Sequence, residues 1–251
     1  MCTLIVGRDI VSPKSLLIAA NRDEDPARPT DSPRILLDPP RTAGGRDRRS
    51  GGTWLAVRRN AVIAMLNRRP AVAAEPSHPS PRLRSRGLLA LYVASARGTG
   101  ATLAESAQYS ALAGVRAARY APFSLVFATA ERTWMLAWDG AERVIDISPG
   151  WHVLTHAELD DPDEPRTQRL LRELETFRPA SFDAARHGLQ GLLAAHDEPR
   201  VCVHDGPMQT VSFAIVYLTS DGAHYHHGEG RPCEQATQDY TSLLEPRNEH
   251  A

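Results

Sequence analysis

Lysine is nearly missing from this chain: Lys14 is the only one among 29 basic residues, and the rest are arginine. That skew reads as composition bias in the coding sequence and points to no function. There is also no excess of either charge. A formal net charge of −1 lacks the basic footprint of a polyanion binder, so no nucleic-acid partner is expected. No apolar run approaches the roughly 18 to 20 residues that span a bilayer, which argues against a membrane span. The start of the chain shows no basic segment followed by an apolar stretch, so no secretory signal is expected either. Cysteine is scarce. Cys2, Cys202 and Cys233 cannot all pair within one chain, which suggests free thiols in a reducing, cytoplasmic setting. Neither an internal repeat nor a dividing linker is visible, so residues 1–251 are expected to form one domain. What remains is ordinary for a globular protein: 42% apolar and 24% charged residues over 251 positions, enough to bury a large core.

Read in order, Cys2 to Gly7 and Ser15 to Ala20 are apolar runs joined by Ser12-Pro13-Lys14, and predict an opening hairpin. Pro26 to Ser50 is rich in proline, arginine and aspartate and predicts a long surface loop. Thr53 to Arg58 and Ala61 to Asn67 predict two more strands, followed by a Pro-rich loop over Ala71 to Arg84. Helical spacing marks Ser85 to Ala96 and a shorter Thr102 to Tyr109. Four strand-like runs follow: Phe123 to Ala130, Thr133 to Trp138, Arg143 to Ile147 and Trp151 to Thr155. Asp139-Gly140 between two of them is a hairpin signal. Arg166 to Phe177 and Phe182 to Ala195 predict amphipathic helices. Val201 to His204, Val211 to Leu218 and Ala223 to His227 predict closing strands. Strands and helices come in blocks, which disfavours parallel βαβ units. The expected fold is α+β: two antiparallel sheets face to face with helices outside, a four-layer αββα sandwich.

Cys2 is the first chemical candidate. Removal of the initiator methionine would leave a thiol and an α-amine on one residue. An α-amine with a pKa of about 7.7 to 8.0 is partly neutral near pH 7 and can take the thiol proton. The bland reading is a small residue opening a strand. Asn21-Arg22-Asp23-Glu24 is the second candidate. On a strand Asn21 and Asp23 share one face, and a carboxylate there can orient a nearby amine; a polar strand end in solvent is the plain alternative. Gly51-Gly52-Thr53-Trp54 allows close backbone approach before a strand. Asn67 ends a strand, where its amide could donate to an oxyanion or simply serve a turn.

Taken together these residues resemble the NRDE-motif family, also called the transport and Golgi organization 2 family. Met1-Cys2-Thr3 and Asn21-Arg22-Asp23-Glu24 carry the likeness, with Gly51-Gly52-Thr53-Trp54-Leu55, Asn67-Arg68-Arg69, Ser85-Arg86-Gly87 and Gly150-Trp151-His152-Val153-Leu154-Thr155 to Leu159-Asp160 in order. The family is similar to N-terminal-nucleophile hydrolases of the choloylglycine hydrolase and penicillin V acylase branch. That resemblance implies an αββα sandwich and cleavage of a carbon–nitrogen amide bond by a terminal cysteine. It places Cys2 on the nucleophile, Asn21 and Asp23 on an Asn-x-Asp string whose aspartate contacts the amine, and Asn67 on the oxyanion hole. Arg22, Trp54, Arg86 and His156 are expected to meet substrate. Two positions depart from the acylases: Ala20 stands where they carry arginine, and His156 where they carry a side-chain amide. Losing one oxyanion donor costs about 2.7 to 4 kcal/mol of transition-state stabilisation.

Several features read as ordinary. His224, His226 and His227 near Cys233 lack zinc-site spacing, so no metal and no cofactor is expected. His152 and His156 are predicted on one strand, facing the same side. Ser85 is expected to cap its helix, and the Arg46, Arg48 and Arg49 cluster to sit in solvent. Two functions stay open. One is a cysteine hydrolase of an amide or thioester in a small molecule. The other is a ligand-binding or trafficking protein for haem or acyl-CoA on the same fold, as the resemblance also implies.

Overall fold

A computed structural model describes residues 2–69 and 83–246. Of the loop expected over 71–84, residues 71–82 lie outside the described residues. The chain opens with β1 (Thr3–Arg8) and β2 (Leu16–Glu24), then β3 (Thr30–Leu37), β4 (Thr42–Asp47), β5 (Leu55–Arg58) and β6 (Ala61–Asn67). Helices α1 (Arg86–Ala94) and α2 (Gly100–Ala117) follow, and then β7 (Phe123–Ala128), β8 (Thr133–Trp138), β9 (Glu142–Asp146) and β10 (Gly150–Leu154). After α3 (Pro165–Glu175) and α4 (Phe182–Leu193) come β11 (Gln209–Thr219), β12 (Gly222–Glu229), β13 (Gln238–Asp239) and a 3₁₀ turn at Thr241–Leu244.

The strands form two antiparallel sheets, ordered β10-β1-β2-β11-β12-β13 and β3-β4-β5-β6-β7-β8-β9. Alternating side chains sort the core into three layers. Leu4, Val6, Leu16 and Ile18 pack between the sheets against Val57, Val62 and Val126. Ile5, Leu17 and Ala19 face outward onto Leu170, Leu174, Leu189 and Leu193 of α3 and α4. On the other sheet Ile63, Leu125 and Phe127 meet Leu89, Val93 and Leu103 of α1 and α2. The result is the expected αββα sandwich. Central strands covered on both faces need apolar residues at every position, which explains the unbroken runs Leu4-Ile5-Val6 and Leu16-Leu17-Ile18.

The helices are held by packing and caps. Apart from Leu170, Leu171 and Leu174, α3 is almost wholly polar, and burying Leu170 and Leu174 contributes about 3 to 6 kcal/mol. Its start is fixed by Pro165 in the first turn and by Glu164, whose carboxylate accepts from the Thr167 N–H at 2.7 Å. That cap fixes where Arg166 stands.

Three expectations need correction. Pro26 to Ser50 holds two strands, β3 and β4. Pro33 is tolerated because β3 is the sheet edge and its pairing slips between Asp31 and Arg34, where a missing N–H costs nothing. Gly44 and Gly45 sit inside β4 because the Leu55 carbonyl and the Trp54 ring occupy the space of a side chain. Val201 to His204 is irregular, tied down by Val201 and Cys202 N–H bonds to the Ala195 carbonyl instead of a ladder. The helix expected over Thr102 to Tyr109 runs on to Ala117, because Leu103, Ala107, Ala111 and Val115 continue its buried face.

Candidate active site

The β1–β2 hairpin register sets Thr3 opposite Asn21, which leaves Cys2 beside Arg22 and Asp23 at the open end of the hairpin. The Cys2 thiol lies 3.7 Å from the Asp23 carbonyl oxygen. Arg22 and Glu24 follow Ile18 and Ala20 on the face that looks between the sheets. There the apolar filling stops and a cleft of about 480 Å³ opens, lined by Cys2, Arg22, Asp23, Trp54, Asn67 and Arg86 among others.

Asp23 anchors the floor. Its side chain is fully buried; one carboxylate oxygen accepts from the Thr210 hydroxyl at 2.7 Å and the other pairs with Arg166 at 3.4 Å. Arg166 also donates to the Thr3 hydroxyl at 2.9 Å, so α3 is stitched to both opening strands beside Cys2. A bulge between Thr210 and Ser212 turns Thr210 toward Asp23. Burial raises the Cys2 thiol pKa above its ordinary value, and the Asp23 carboxylate raises it further; the Asp23 backbone contact and the Arg22 guanidinium act the other way. The thiol is therefore held in its neutral form and needs a proton acceptor to become a nucleophile.

The walls are charged. Arg22 is buried with its guanidinium 4.2 Å above the Trp54 ring and 3.7 Å from Glu24. Burial lowers its pKa, Glu24 opposing, yet a guanidinium stays protonated at any physiological pH. Arg28 pairs with Asp47 at 2.6 Å. Arg86 enters from the first turn of α1 and donates to the Pro122 carbonyl at 3.0 Å. Gly52 and Gly87 make that entry possible. A side chain on Gly52 would lie 2.3 Å from the Gly87 carbonyl carbon, so only two glycines let α1 close against β5.

Six of the eight predicted site residues thus meet in one cleft: Cys2, Arg22, Asp23, Trp54, Asn67 and Arg86. Asn67 stands at the end of β6, exposed to the opening. The other two do not line it. Asn21 points to the outer helices, where its amide donates to the Leu193 and Val201 carbonyls at 2.9 and 3.1 Å. It anchors the end of α4 to β2. His156 lies beyond β10 in the turn that follows, in a neighbouring pocket with Arg68, Arg69 and Glu164. It therefore does not share a strand face with His152, which faces Asp160 at 2.6 Å. Burial lowers the His156 pKa and Arg69 lowers it further. Ser85 occupies the cap position of α1 without making the expected side-chain cap, and lines the cleft instead. The arginine cluster divides: Arg48 is exposed and pairs with Asp31, while Arg49 reaches the cleft rim. Sequence reading missed Thr210 and Arg166, because only the fold brings them to Asp23.

The family profile described as Transport and Golgi organisation 2 (TANGO2) matches residues 1–209. The chain belongs to the TANGO2 family. Among curated proteins no relative matches. Solved structures do. One is the crystal structure of an arginine-to-leucine variant of conjugated bile acid hydrolase from Clostridium perfringens. It is 9% identical, covers 99% of both chains and superposes with a TM-score of 0.56. A cysteine-to-alanine mutant of the same hydrolase is 11% identical, covering 98% of this chain and 94% of that one, at a TM-score of 0.53. At such identity the likeness shows that this TANGO2 chain shares the αββα fold of those structures and leaves the chemistry to its own residues. Among the described residues no helix is long and apolar enough to cross a membrane.

Proposed function

We propose that this TANGO2-family protein is an N-terminal cysteine hydrolase that cleaves an amide or thioester bond of an acylated small molecule. The observation that carries this reading is the convergence of Cys2, Asp23 and Asn67 in one cleft of about 480 Å³ walled by arginines. The neighbouring bile acid hydrolase structures support it through the fold they share with this chain.

The reaction requires removal of Met1. The freed Cys2 amine then takes the thiol proton, and the sulfur attacks the substrate carbonyl. The Asn67 amide donates to the developing oxyanion. As the carbon–nitrogen bond breaks, the ammonium returns its proton to the leaving nitrogen and a thioester remains on Cys2. Water then attacks that thioester, the amine accepts the water proton, and the acid leaves as the thiol re-forms. Asp23 holds the ammonium, itself fixed by Thr210 and Arg166. Arg22 and Arg86 favour a substrate with a negatively charged end. A free thiol nucleophile suits a reducing, cytoplasmic setting.

The test is a panel of amides and thioesters on the processed wild type and on Cys2→Ala, with intact mass to score Met1. Turnover should appear only when Met1 is gone and vanish in Cys2→Ala. Turnover that survives in Cys2→Ala overturns the proposal. The haem-trafficking alternative is weaker at this cleft, where no histidine lines the wall among the described residues. A Soret titration unchanged by Cys2→Ser would place haem elsewhere.

A further inference from the structure

Two cysteines and two histidines from three separate segments meet near the C-terminal end of α4. His196 follows α4, Cys202 and His204 lie in the loop leading to β11, and Cys233 sits in the turn after β12. The Cys202 and Cys233 sulfurs are 3.7 Å apart. Nε2 of His204 lies 3.6 Å from the Cys202 sulfur and 3.2 Å from that of Cys233. His196 flanks this trio on the exposed side: ligand atoms of His196, His204 and Cys233 all lie within 4.8 Å of one another.

These spacings have a specific meaning. A tetrahedral zinc with Zn–S of about 2.3 Å and Zn–N of about 2.05 Å needs its sulfurs about 3.8 Å apart and each sulfur about 3.5 Å from a nitrogen. The three edges among Cys202, His204 and Cys233, at 3.7, 3.6 and 3.2 Å, lie near those values. A disulfide needs about 2.05 Å between sulfurs, well short of the gap seen. The donor set points the same way, because two thiols with imidazole nitrogens select zinc over the hard oxygen-seeking cations.

The surroundings are built to hold the group in place. The Ala195 carbonyl accepts from the Val201 and Cys202 N–H groups at 2.9 and 2.8 Å, closing the loop that separates His196 from Cys202. Arg231 donates to the His204 carbonyl at 3.1 Å and to Gln209 at 2.9 Å, clamping the Cys233 turn onto the other loop. Nδ1 of His196 lies 3.2 Å from the Ala194 carbonyl, which leaves Nε2 as its ligand atom. Nδ1 of His204 faces Glu234 at 3.9 Å, the place of an outer carboxylate behind a ligating imidazole. Cys202 is buried, whereas His196 and Cys233 border a surface groove that gives a cation access.

We propose that Cys202, His204 and Cys233 hold a structural zinc ion, with the exposed His196 turning in as the fourth ligand. Zinc here binds as the dithiolate, with loss of both thiol protons. It ties α4, the loop before β11 and the turn after β12 into one unit. That unit abuts the cleft: Asn21 donates to the Val201 carbonyl, and the Val203 N–H donates to the Thr210 hydroxyl that binds Asp23. The assignment is independent of the hydrolase reading. The histidines read from the sequence as a conceivable cluster do something else. His224 and His226 pack on Phe182, and His227 faces Glu229 at 3.5 Å.

The test uses the full chain, reduced with a phosphine and stripped by a chelator, then titrated with cobalt(II) and zinc(II). One equivalent of cobalt should give thiolate-to-metal charge-transfer bands and the strong visible absorption of a tetrahedral site, both displaced by zinc. Cys233→Ser, at the surface, should lose about half of the charge-transfer intensity. Its zinc affinity should fall by more than the roughly tenfold cost of losing an outer-shell partner. Cys2→Ser should retain both signals. Absence of thiolate bands in the reduced wild type overturns the site. So do bands that survive in Cys233→Ser and vanish in Cys2→Ser, or re-formation of a Cys202–Cys233 disulfide in place of metal uptake.

Discussion

Asp23→Asn separates the structural from the chemical role of the cleft floor. The substitution keeps the shape and an acceptor for Thr210, 2.7 Å away, and removes the charge facing Arg166. Breaking a fully buried ion pair costs about 3 to 5 kcal/mol, and a charged hydrogen bond is worth about 1.5 to 3 kcal/mol. Arg166 keeps its bond to Thr3 and is 12% exposed, so solvent offsets part of the loss. The loss then falls below that of a fully buried pair, to about 2 to 3 kcal/mol. With a urea slope of about 3 kcal/mol/M for a chain of this size, the unfolding midpoint should fall by about 0.7 to 1 M with the slope unchanged. The same change has opposite signs at the thiol. In the chain that retains Met1, losing the Asp23 charge removes one cause of the raised Cys2 pKa, so alkylation near neutral pH should quicken. In the processed chain turnover should slow, because the ammonium loses its anchor. A midpoint shift below about 0.2 M, or slower alkylation of the unprocessed variant, would refute this account of Asp23.

Other outcomes follow from the same structure. Burial works to lower the His152 pKa, but the 2.6 Å contact with Asp160 prevails and raises it above its ordinary value. The stability from that pair is full below about pH 6.5 and is lost as pH rises through the higher folded value. Asp160→Asn, which suits the positive φ of 55° there, should flatten that slope in urea midpoints measured across the range. Gly45→Ala would set a methyl 2.3 Å from the Trp54 ring and displace the platform under Arg22. A loss of about 1 to 3 kcal/mol with altered tryptophan emission is expected, and unchanged emission would count against the packing described. Thr210→Val removes the donor to Asp23 and the acceptor for the Val203 N–H, at a cost of about 1 to 3 kcal/mol by urea titration.

Local pattern along the chain was enough to read the sandwich and most of the cleft. Its apolar runs were long enough to be covered on both faces, and short-range order fixed Cys2, Arg22 and Asp23 at the end of one hairpin. The paired glycines beside Trp54 and Arg86 were visible too, since a close backbone approach has to be encoded locally. Strand β3 escaped because an edge position excuses its proline, a fact about neighbours that no local pattern carries. Asn21 and Asp23 share a face in any strand. Only the packing of α4 turned Asn21 into an anchor, while the bulge in β11 and the first turn of α3 delivered Thr210 and Arg166 to Asp23. The grouping of His196, Cys202, His204 and Cys233 was likewise a tertiary decision. Ligand sites of this kind depend on where distant loops close, and that is settled by the core beneath them.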